Sequence, residues 1–154
     1  MHILVLLAFA ALLAWAASED MRRLIIPNWI SLAIAGLYPL HVLTGPADVA
    51  WLSAAGLAAL TLIIGFALFS ANLMGGGDVK LMAAVALWAG PAGFPLLITV
   101  TALAGGVVAG VLLVYRWGLT VRNRESGARA GVMPYGVAIA AGGLVVAYSL
   151  CKGG

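Results

Sequence analysis

The chain has 154 residues, of which 64% are hydrophobic and 8% charged, and its mean hydropathy is +1.13. A soluble domain carries charge on about a quarter of its residues, so this composition excludes an ordinary water-soluble protein and predicts an integral membrane protein. The net charge of +3 does not indicate a nucleic-acid partner, because the cations lie in short clusters between apolar runs, which is typical of residues that set membrane orientation. The single cysteine, Cys151, excludes an intrachain disulfide and a four-cysteine zinc site.

Six apolar segments follow one another along the chain. They are residues 2–17, 29–45, 50–70, 79–93, 94–117 and 131–151. A bilayer span needs roughly 20 apolar residues, so the third, fifth and sixth segments are long enough, the first two are borderline and the fourth is short. Pro91, Gly93 and Pro95 predict a tight turn between the fourth and fifth segments. We therefore predict one all-α membrane domain over residues 1–154, a bundle of about six transmembrane helices whose fourth helix is short or sunk into the bundle.

The positive charges predict how the bundle is oriented. If the N-terminus is outside the cell, the loops on the cytoplasmic side contain all but one of the eight Lys and Arg residues, namely Arg22, Arg23, Lys80, Arg116, Arg122, Arg124 and Arg129. This distribution agrees with the positive-inside rule. Residues 1–17 have some features of a signal peptide, but cations follow the apolar run instead of preceding it, which favours an uncleaved helix.

Five acidic residues are available for chemistry. They are Glu19, Asp20, Asp48, Asp78 and Glu125. Asp48 and Glu125 fall in predicted polar loops, where we expect them to be solvated. Glu19, Asp20 and Asp78 all fall at the cytoplasmic ends of predicted helices, so two distant parts of the chain bring acids to the same side of the membrane.

Three consecutive glycines, Gly75, Gly76 and Gly77, stand directly before Asp78. Because glycine is costly inside a helix, we expect this backbone to be non-helical. Irregular backbone at membrane depth is tolerated only inside protein or along a wet cavity, and an acid beside it is a candidate functional residue. Asp78 could instead serve only as a helix cap, but capping would not explain three glycines.

Three short stretches now point to a family. Asp20 lies seven residues before the proline of Ile26-Pro27-Asn28, the glycine run continues as Gly75-Gly76-Gly77-Asp78-Val79-Lys80, and Met133-Pro134-Tyr135-Gly136 follows near the last helix. With these stretches in this order, the chain resembles the type IV prepilin peptidases, which are integral membrane aspartic proteases of the GxGD kind. The resemblance implies that Asp20 and Asp78 are the catalytic pair, since Glu19 does not have the required spacing.

The same resemblance implies supporting residues and a substrate. Residues expected to support the site or bind substrate are Pro27, Asn28, Gly75, Gly76, Gly77, Lys80, Pro134, Tyr135 and Gly136. The implied activity removes the basic leader of prepilins and pseudopilins after a glycine, at the cytoplasmic face of the bacterial inner membrane, with no cofactor and no metal. Larger members carry a cytoplasmic insert with paired cysteines and a methyltransferase activity. This chain has no such insert and resembles the short, peptidase-only enzymes of Flp-type, tight-adherence pili.

Other functions remain open from the sequence alone. Intramembrane acids and broken helices also occur in small transporters and proton-conducting proteins, and a non-catalytic subunit of a pilus or secretion apparatus would need neither aspartate. Within the peptidases, a signal-peptide or archaellin-type enzyme is the nearest alternative. We interpret Lys80, Arg22 and Arg23 mainly as topogenic charges, and we do not expect His2 and His41 to form a metal site. The sequence does not indicate an oligomeric state or a particular pilin.

Overall fold

The computed structural model describes residues 1–45, 49–121 and 135–152, with the backbone alone at residue 116 and residues 118–121. The acids Asp48 and Glu125 and the predicted site residue Pro134 lie outside this part of the chain. The regular structure that is described is helical throughout. It consists of α1 (His2–Arg23), α2 (Asn28–Thr44), α3 (Trp51–Ser70), α4 (Gly76–Val121) and α5 (Tyr135–Lys152).

Four helical stretches of the described chain are long and apolar enough to cross a membrane. They are α1, α3, the Gly76–Tyr115 part of α4, and α5. The helix α2 is shorter, with 17 residues, although it too is apolar. The predicted all-helical membrane fold is therefore confirmed, while a bundle of about six spans with its N-terminus outside stays a prediction.

The long helix α4 is bent into two arms at one residue. Gly90 has φ 58° and ψ −179° inside an otherwise helical stretch, a backbone conformation that residues with a Cβ rarely adopt. Pro91 then opens the second arm, where proline is well tolerated because the first amides of a helix have no intrahelical acceptor. The turn predicted around Pro91, Gly93 and Pro95 is thus a break at Gly90, and both prolines lie within the second arm.

The first arm of α4, residues 76–89, lies inside the bundle, as predicted for the fourth segment. It contributes Leu81 and Val85 to the largest fully buried side chains of the bundle. The others are Phe9, Leu13, Ile30, Ile34, Leu97 and Ile139. By contrast, α3 makes its substantial helix contact with α4. Its side chains Ile63 and Phe66 are 67% and 65% exposed. Such outward-facing apolar side chains suit contact with lipid.

The last helix, α5, packs closely against both α1 and α4. A Cβ built on Gly143 would lie 2.8 Å from Leu13 Cδ1 of α1 and 3.1 Å from Val85 Cγ1 of α4, so no larger residue fits between these helices without displacement. Small residues at helix interfaces allow this approach inside a membrane. The close packing holds the first turn of α5 beside the last turns of α1.

A stacked aromatic pair anchors α1 to α4 and gives a stability prediction. The rings of Phe9 and Trp88 stack with centroids 4.1 Å apart, and Trp88 Nε1 donates a 2.9 Å hydrogen bond to the carbonyl oxygen of Ile34. Phe9→Ala should lower the free energy of unfolding by on the order of 3 kcal/mol, because it leaves a cavity in the bundle. Denaturant unfolding in detergent measures this, with Leu113→Ala, at a position 71% exposed, as a control expected to change little.

Candidate active site

Asp20 lies in the last turns of α1 and is only 4% exposed. The backbone N–H of Val137 donates a 3.2 Å hydrogen bond to Asp20 Oδ2, and the N–H of Gly136 also faces this carboxyl. Both amides belong to the first turn of α5, where N–H groups have no acceptor within the helix. The positive end of the α5 dipole therefore favours a negative charge on Asp20.

Asp78 stands in the first turn of α4. Its carboxyl turns back toward Gly75, so that a Cβ on Gly75 would lie 2.8 Å from Asp78 Oδ2, and the backbone N–H of that glycine faces it. An acid at the third helical position that faces this N–H is placed as one half of a capping box. Asp78 is therefore not the N-cap residue of the simpler interpretation, because α4 begins at Gly76, but its side chain is directed at the start of the helix.

Asp20 and Asp78 lie at the same end of the bundle, although α2 and α3 separate them along the chain. Asp20 is close enough for its charge to act on the Asp78 carboxyl, and burial shields both groups from water. Each carboxyl also lies at the N-terminus of a helix, Asp20 at α5 and Asp78 at α4. The fold thus pairs two half-buried or buried acids beside two sets of backbone N–H donors, an arrangement suited to proton transfer and to holding negative charge.

Ile26 fills the space between these two helix starts. A Cβ on Gly77 would lie 3.1 Å from Ile26 Cβ, and a Cβ on Gly136 would lie 2.6 Å from Ile26 Cδ1. Ile26 itself is 5% exposed and stands just before α2, so three helix N-termini converge around it. The sequence contained Ile26 within a motif, but nothing in the sequence alone showed that two distant glycines would pack on it.

The glycine run differs from the expectation that it is non-helical. Gly76 and Gly77 form the first turn of α4, and their φ angles are not positive. The prediction from helix propensity holds for Gly75, which precedes the helix, but is wrong for Gly76 and Gly77, because tertiary contact decides there. A Cβ on Gly76 would lie 3.3 Å from the ring of Phe69, and Gly77 packs on Ile26. The glycines allow close approach to neighbouring chain segments and do not serve to break the helix.

Pro27, Asn28 and Lys80 lie at the same end of the bundle. Pro27 has φ −61° and ψ 134° and precedes α2 as its N-cap residue. Lys80 Nζ donates a 2.9 Å hydrogen bond to Asn28 Oδ1, which joins the start of α2 to the start of α4. The sequence predicts Lys80 mainly as a topogenic charge. The structure adds a hydrogen-bond partner for it, Asn28. Tyr135, the first residue of α5, is 40% exposed.

The other charges at this end point away from the pair. Arg23 Nε lies 3.3 Å from Glu19 Oε2, and the Arg23 side chain is 74% exposed. Glu19, whose side chain is 19% exposed, is therefore paired with an exposed arginine, one position from the buried Asp20. Arg22 is also exposed. Glu19 and Asp20 therefore lie in different surroundings, one in an ion pair and one buried, and only Asp20 has the spacing to Pro27 that the family resemblance requires.

The two histidines meet at the opposite end of the bundle. His2 Nε2 and His41 Nδ1 are 3.1 Å apart, and His41 is 2% exposed beside Trp88. Eighteen residues of α1 separate His2 from Asp20, about 27 Å along the helix. Over the described residues, no group of three His, Cys, Asp or Glu side chains is arranged to hold a metal ion.

A comparison with protein families identifies the chain. Residues 7–110 match the model of the type IV leader peptidase family, a stretch that includes Asp20, Ile26 and the glycine run with Asp78. The chain belongs to the type IV leader peptidase family. No curated protein and no solved structure matches it. This membership supports a leader-peptidase-like function in a membrane, with prepilins as the substrates that the family implies. The contact of α5 with Asp20 lies beyond the matched residues and comes from the structure alone.

Proposed function

We propose that this leader peptidase is an aspartic endopeptidase that removes the basic leader of Flp-type prepilins after a glycine. The observation that supports the proposal is that buried Asp20, at the N-terminus of α5, lies near enough to Asp78, at the N-terminus of α4, for its charge to act on it, in a chain of this family. We assign catalysis to these two residues. We further propose that the chain is a single membrane-embedded domain, that it lies in the bacterial inner membrane, and that it has no N-methylation activity.

Two carboxyls that interact cannot both ionise cheaply, so the active pair holds one proton. The ionised member takes a proton from a water molecule, which attacks the scissile carbonyl carbon. The protonated member donates to the forming oxyanion, and a proton is then delivered to the leaving amine. The titration belongs to the pair, and we assign the proton to neither aspartate. No serine or cysteine nucleophile and no cofactor enters these steps.

The surrounding backbone supports this chemistry. The N–H groups of Gly136 and Val137 hold Asp20, and that of Gly75 holds Asp78, so both carboxyls are oriented before substrate arrives. Acid–base assistance contributes about 10²–10⁴-fold, and preorganised positioning and electrostatics supply the remainder of the rate enhancement. Rigid helix starts are suited to that role, because their amides do not need to reorganise during the reaction.

The charges at this end of the bundle support a cytoplasmic active site. Arg22, Arg23 and Lys80 all lie at the end that contains Asp20 and Asp78. By the positive-inside rule this end faces the cytoplasm. A prepilin leader is basic and cytoplasmic, and the peptide bond to be cut lies where the leader meets an apolar helix. Substrate and catalytic pair would then stand at the same depth in the membrane.

A bell-shaped pH profile is expected if the pair shares one proton. Leader cleavage should fall in acid, where both carboxyls are protonated and no base remains, and in alkali, where both are ionised and no acid remains. Initial rates of prepilin cleavage across the pH range, with folding monitored at each pH, measure the profile. A rate that stays level through the acid limb, while the protein remains folded, would contradict a carboxylate base.

Co-expression with an Flp-type prepilin tests the proposed function. The intact chain should convert the precursor to a product shortened by the leader, with a new N-terminus directly after a glycine, as read by mass spectrometry. Absence of cleavage of Flp-type, other type IV and archaellin-type precursors would reject the peptidase assignment. Ion flux through proteoliposomes would then indicate a transporter, and pilus assembly that needs the protein but neither aspartate would indicate an assembly subunit.

A further inference from the structure

A lateral groove opens between α2 and α3, over the buried first arm of α4. These two helices, both described along their full lengths, pack on α4 without forming a helix pair with each other. The groove encloses about 420 Å³. On the α2 side its lining residues are Asn28, Ser31, Leu32 and Ala35. This volume can hold several aliphatic side chains, such as those along one face of a helix, but it is too small for a whole helix.

The groove begins at the active-site end and runs into the bundle. On α4 it is lined by Lys80, Ala83, Ala84 and Leu87, at the spacing of one helical face, starting two residues after Asp78. The stripe on α2 has the same spacing, so the two stripes together define a track about 10 Å long. Its walls are small and apolar along most of this length. Small residues permit another helix to approach closely.

One polar atom in the groove has no partner. Ser31 Oγ is buried and makes no hydrogen bond with any of the described residues, and Ser31 is 5% exposed. Leaving a buried hydroxyl without a hydrogen-bond partner is unfavourable. If the Ser31 side chain changes rotamer when the groove is filled, a ligand that offers a backbone or side-chain hydrogen-bonding group would supply the missing partner. The unpartnered hydroxyl therefore distinguishes this groove from an ordinary lipid-facing crevice.

The charge at the mouth selects which part of a substrate enters. Lys80, hydrogen-bonded to Asn28, places a cation where the groove meets the active site. A basic leader is repelled from this mouth, whereas an apolar segment fits the walls. We infer that the groove between α2 and α3 binds the apolar helix of the prepilin on the mature side of the scissile bond, with Ser31 and the Asn28–Lys80 pair contacting its first turns. The inference rests on the proposed function.

Cysteine cross-linking tests the occupant directly. The chain with Cys151→Ser has no cysteine, so Ala59→Cys can be introduced in the groove and Leu60→Cys about 100° further around α3, outside the groove, as a control of nearly equal depth. Leu60 is 52% exposed and does not line the groove. With Asp78→Asn present to keep the substrate uncut, a cysteine in the apolar helix of the prepilin should cross-link to position 59 at least about tenfold more than to position 60, a difference set by proximity. Equal cross-linking, or none at position 59, would overturn the inference.

Kinetics with the matched bulky variants give a second readout. Ala59→Trp should raise KM for prepilin by about tenfold or more without a matching fall in kcat, whereas Leu60→Trp should change KM less than about twofold. Ser31→Ala should raise KM several-fold while leaving thermal stability equal or higher, because it deletes a hydroxyl that has no partner in the free enzyme. A purely structural role for Ser31 would instead lower stability.

The outcomes separate the two proposals. If the wild type cleaves prepilin but Ala59→Trp does so with unchanged KM, the proposed function stands and the groove is not the substrate site. Brominated lipid that quenches the Ala59→Trp variant more than the wild type, with no effect of added prepilin, would then identify a lipid chain as the occupant. If the wild type cleaves no precursor, the proposed function and this inference are both rejected.

Discussion

Asp20→Asn and Asp78→Asn should each abolish leader cleavage, with rates reduced at least about 10³-fold. Asparagine keeps the shape of the side chain and its ability to accept from Val137 or Gly75, but it can neither give nor take the proton that the mechanism requires. Both single variants should lose similar activity, and the double variant little more, because the residues act as one unit. Single-turnover cleavage of purified prepilin in detergent measures all three rates.

Glu19→Gln is the matched control for this experiment. It changes the neighbouring acid by the same chemistry, but Glu19 pairs with exposed Arg23 on the surface of α1. Surface ion pairs contribute about 0–1 kcal/mol, so folding and cleavage should both be retained. If Glu19→Gln loses activity while Asp20→Asn keeps it, the assignment of the catalytic acid in α1 is wrong. If all three variants lose activity equally but are expressed at different levels, their cleavage rates are compared per amount of folded protein.

Gly136→Ala should reduce cleavage by about 10²-fold through displacement of Asp20, although no catalytic atom is changed. The added Cβ would lie 2.8 Å from Asp20 Oδ2 and 2.6 Å from Ile26 Cδ1, closer than real Cβ contacts allow. Ile26 can move its Cδ1 by rotation about χ2, but the carboxyl cannot move without lengthening its hydrogen bond to Val137. Catalytic groups must be held within about 0.5 Å of the productive geometry, so a small shift has a large effect.

Gly56→Ala provides the control, because a Cβ at Gly56 has no other atom within 4 Å. Alanine also has the higher helix propensity, so this variant should be active and slightly more stable. Combining Gly136→Ala with Ile26→Val separates the two overlaps. The double variant removes the contact with Cδ1 and leaves that with Asp20, so it should remain inactive. Recovery of cleavage in the double variant would show that Ile26, and not the carboxyl, is the sensitive contact.

The sequence predicted which end of the bundle carries the candidate acids, but not the contacts around them. Spacing to Pro27 distinguishes Asp20 from Glu19, and the charge distribution predicts that Asp20 and Asp78 share one end, where the structure has both; their catalytic role stays a prediction. The glycine run was recognised as unusual, but helix propensity suggested an irregular backbone. The contacts of Gly77 and Gly136 with Ile26 explain the glycines, and contacts between residues so distant in sequence are not encoded in local pattern.

The helices themselves were predicted from length and hydropathy, and their ends were less accurate. The first apolar segment ends near residue 17, yet α1 continues to Arg23, because the last turns are covered on one face by α5. Hydropathy therefore assigned Asp20 to a helix end beside a loop, whereas tertiary packing places it within the helix. The break at Gly90 was likewise attributed to its neighbouring prolines, since φ cannot be read from composition.

The dependence of Asp20 on the first turn of α5 has a consequence for biosynthesis. Both aspartates are made before residue 135, but the amides that orient Asp20 belong to the last helix of the described chain. During synthesis an inserted chain that lacks α5 has both acids and no assembled site. Under the proposed catalytic role of Asp20, proteolytic activity would be acquired only when α5 docks against α1 and α4, so a partly synthesised chain would not cleave other proteins of the membrane.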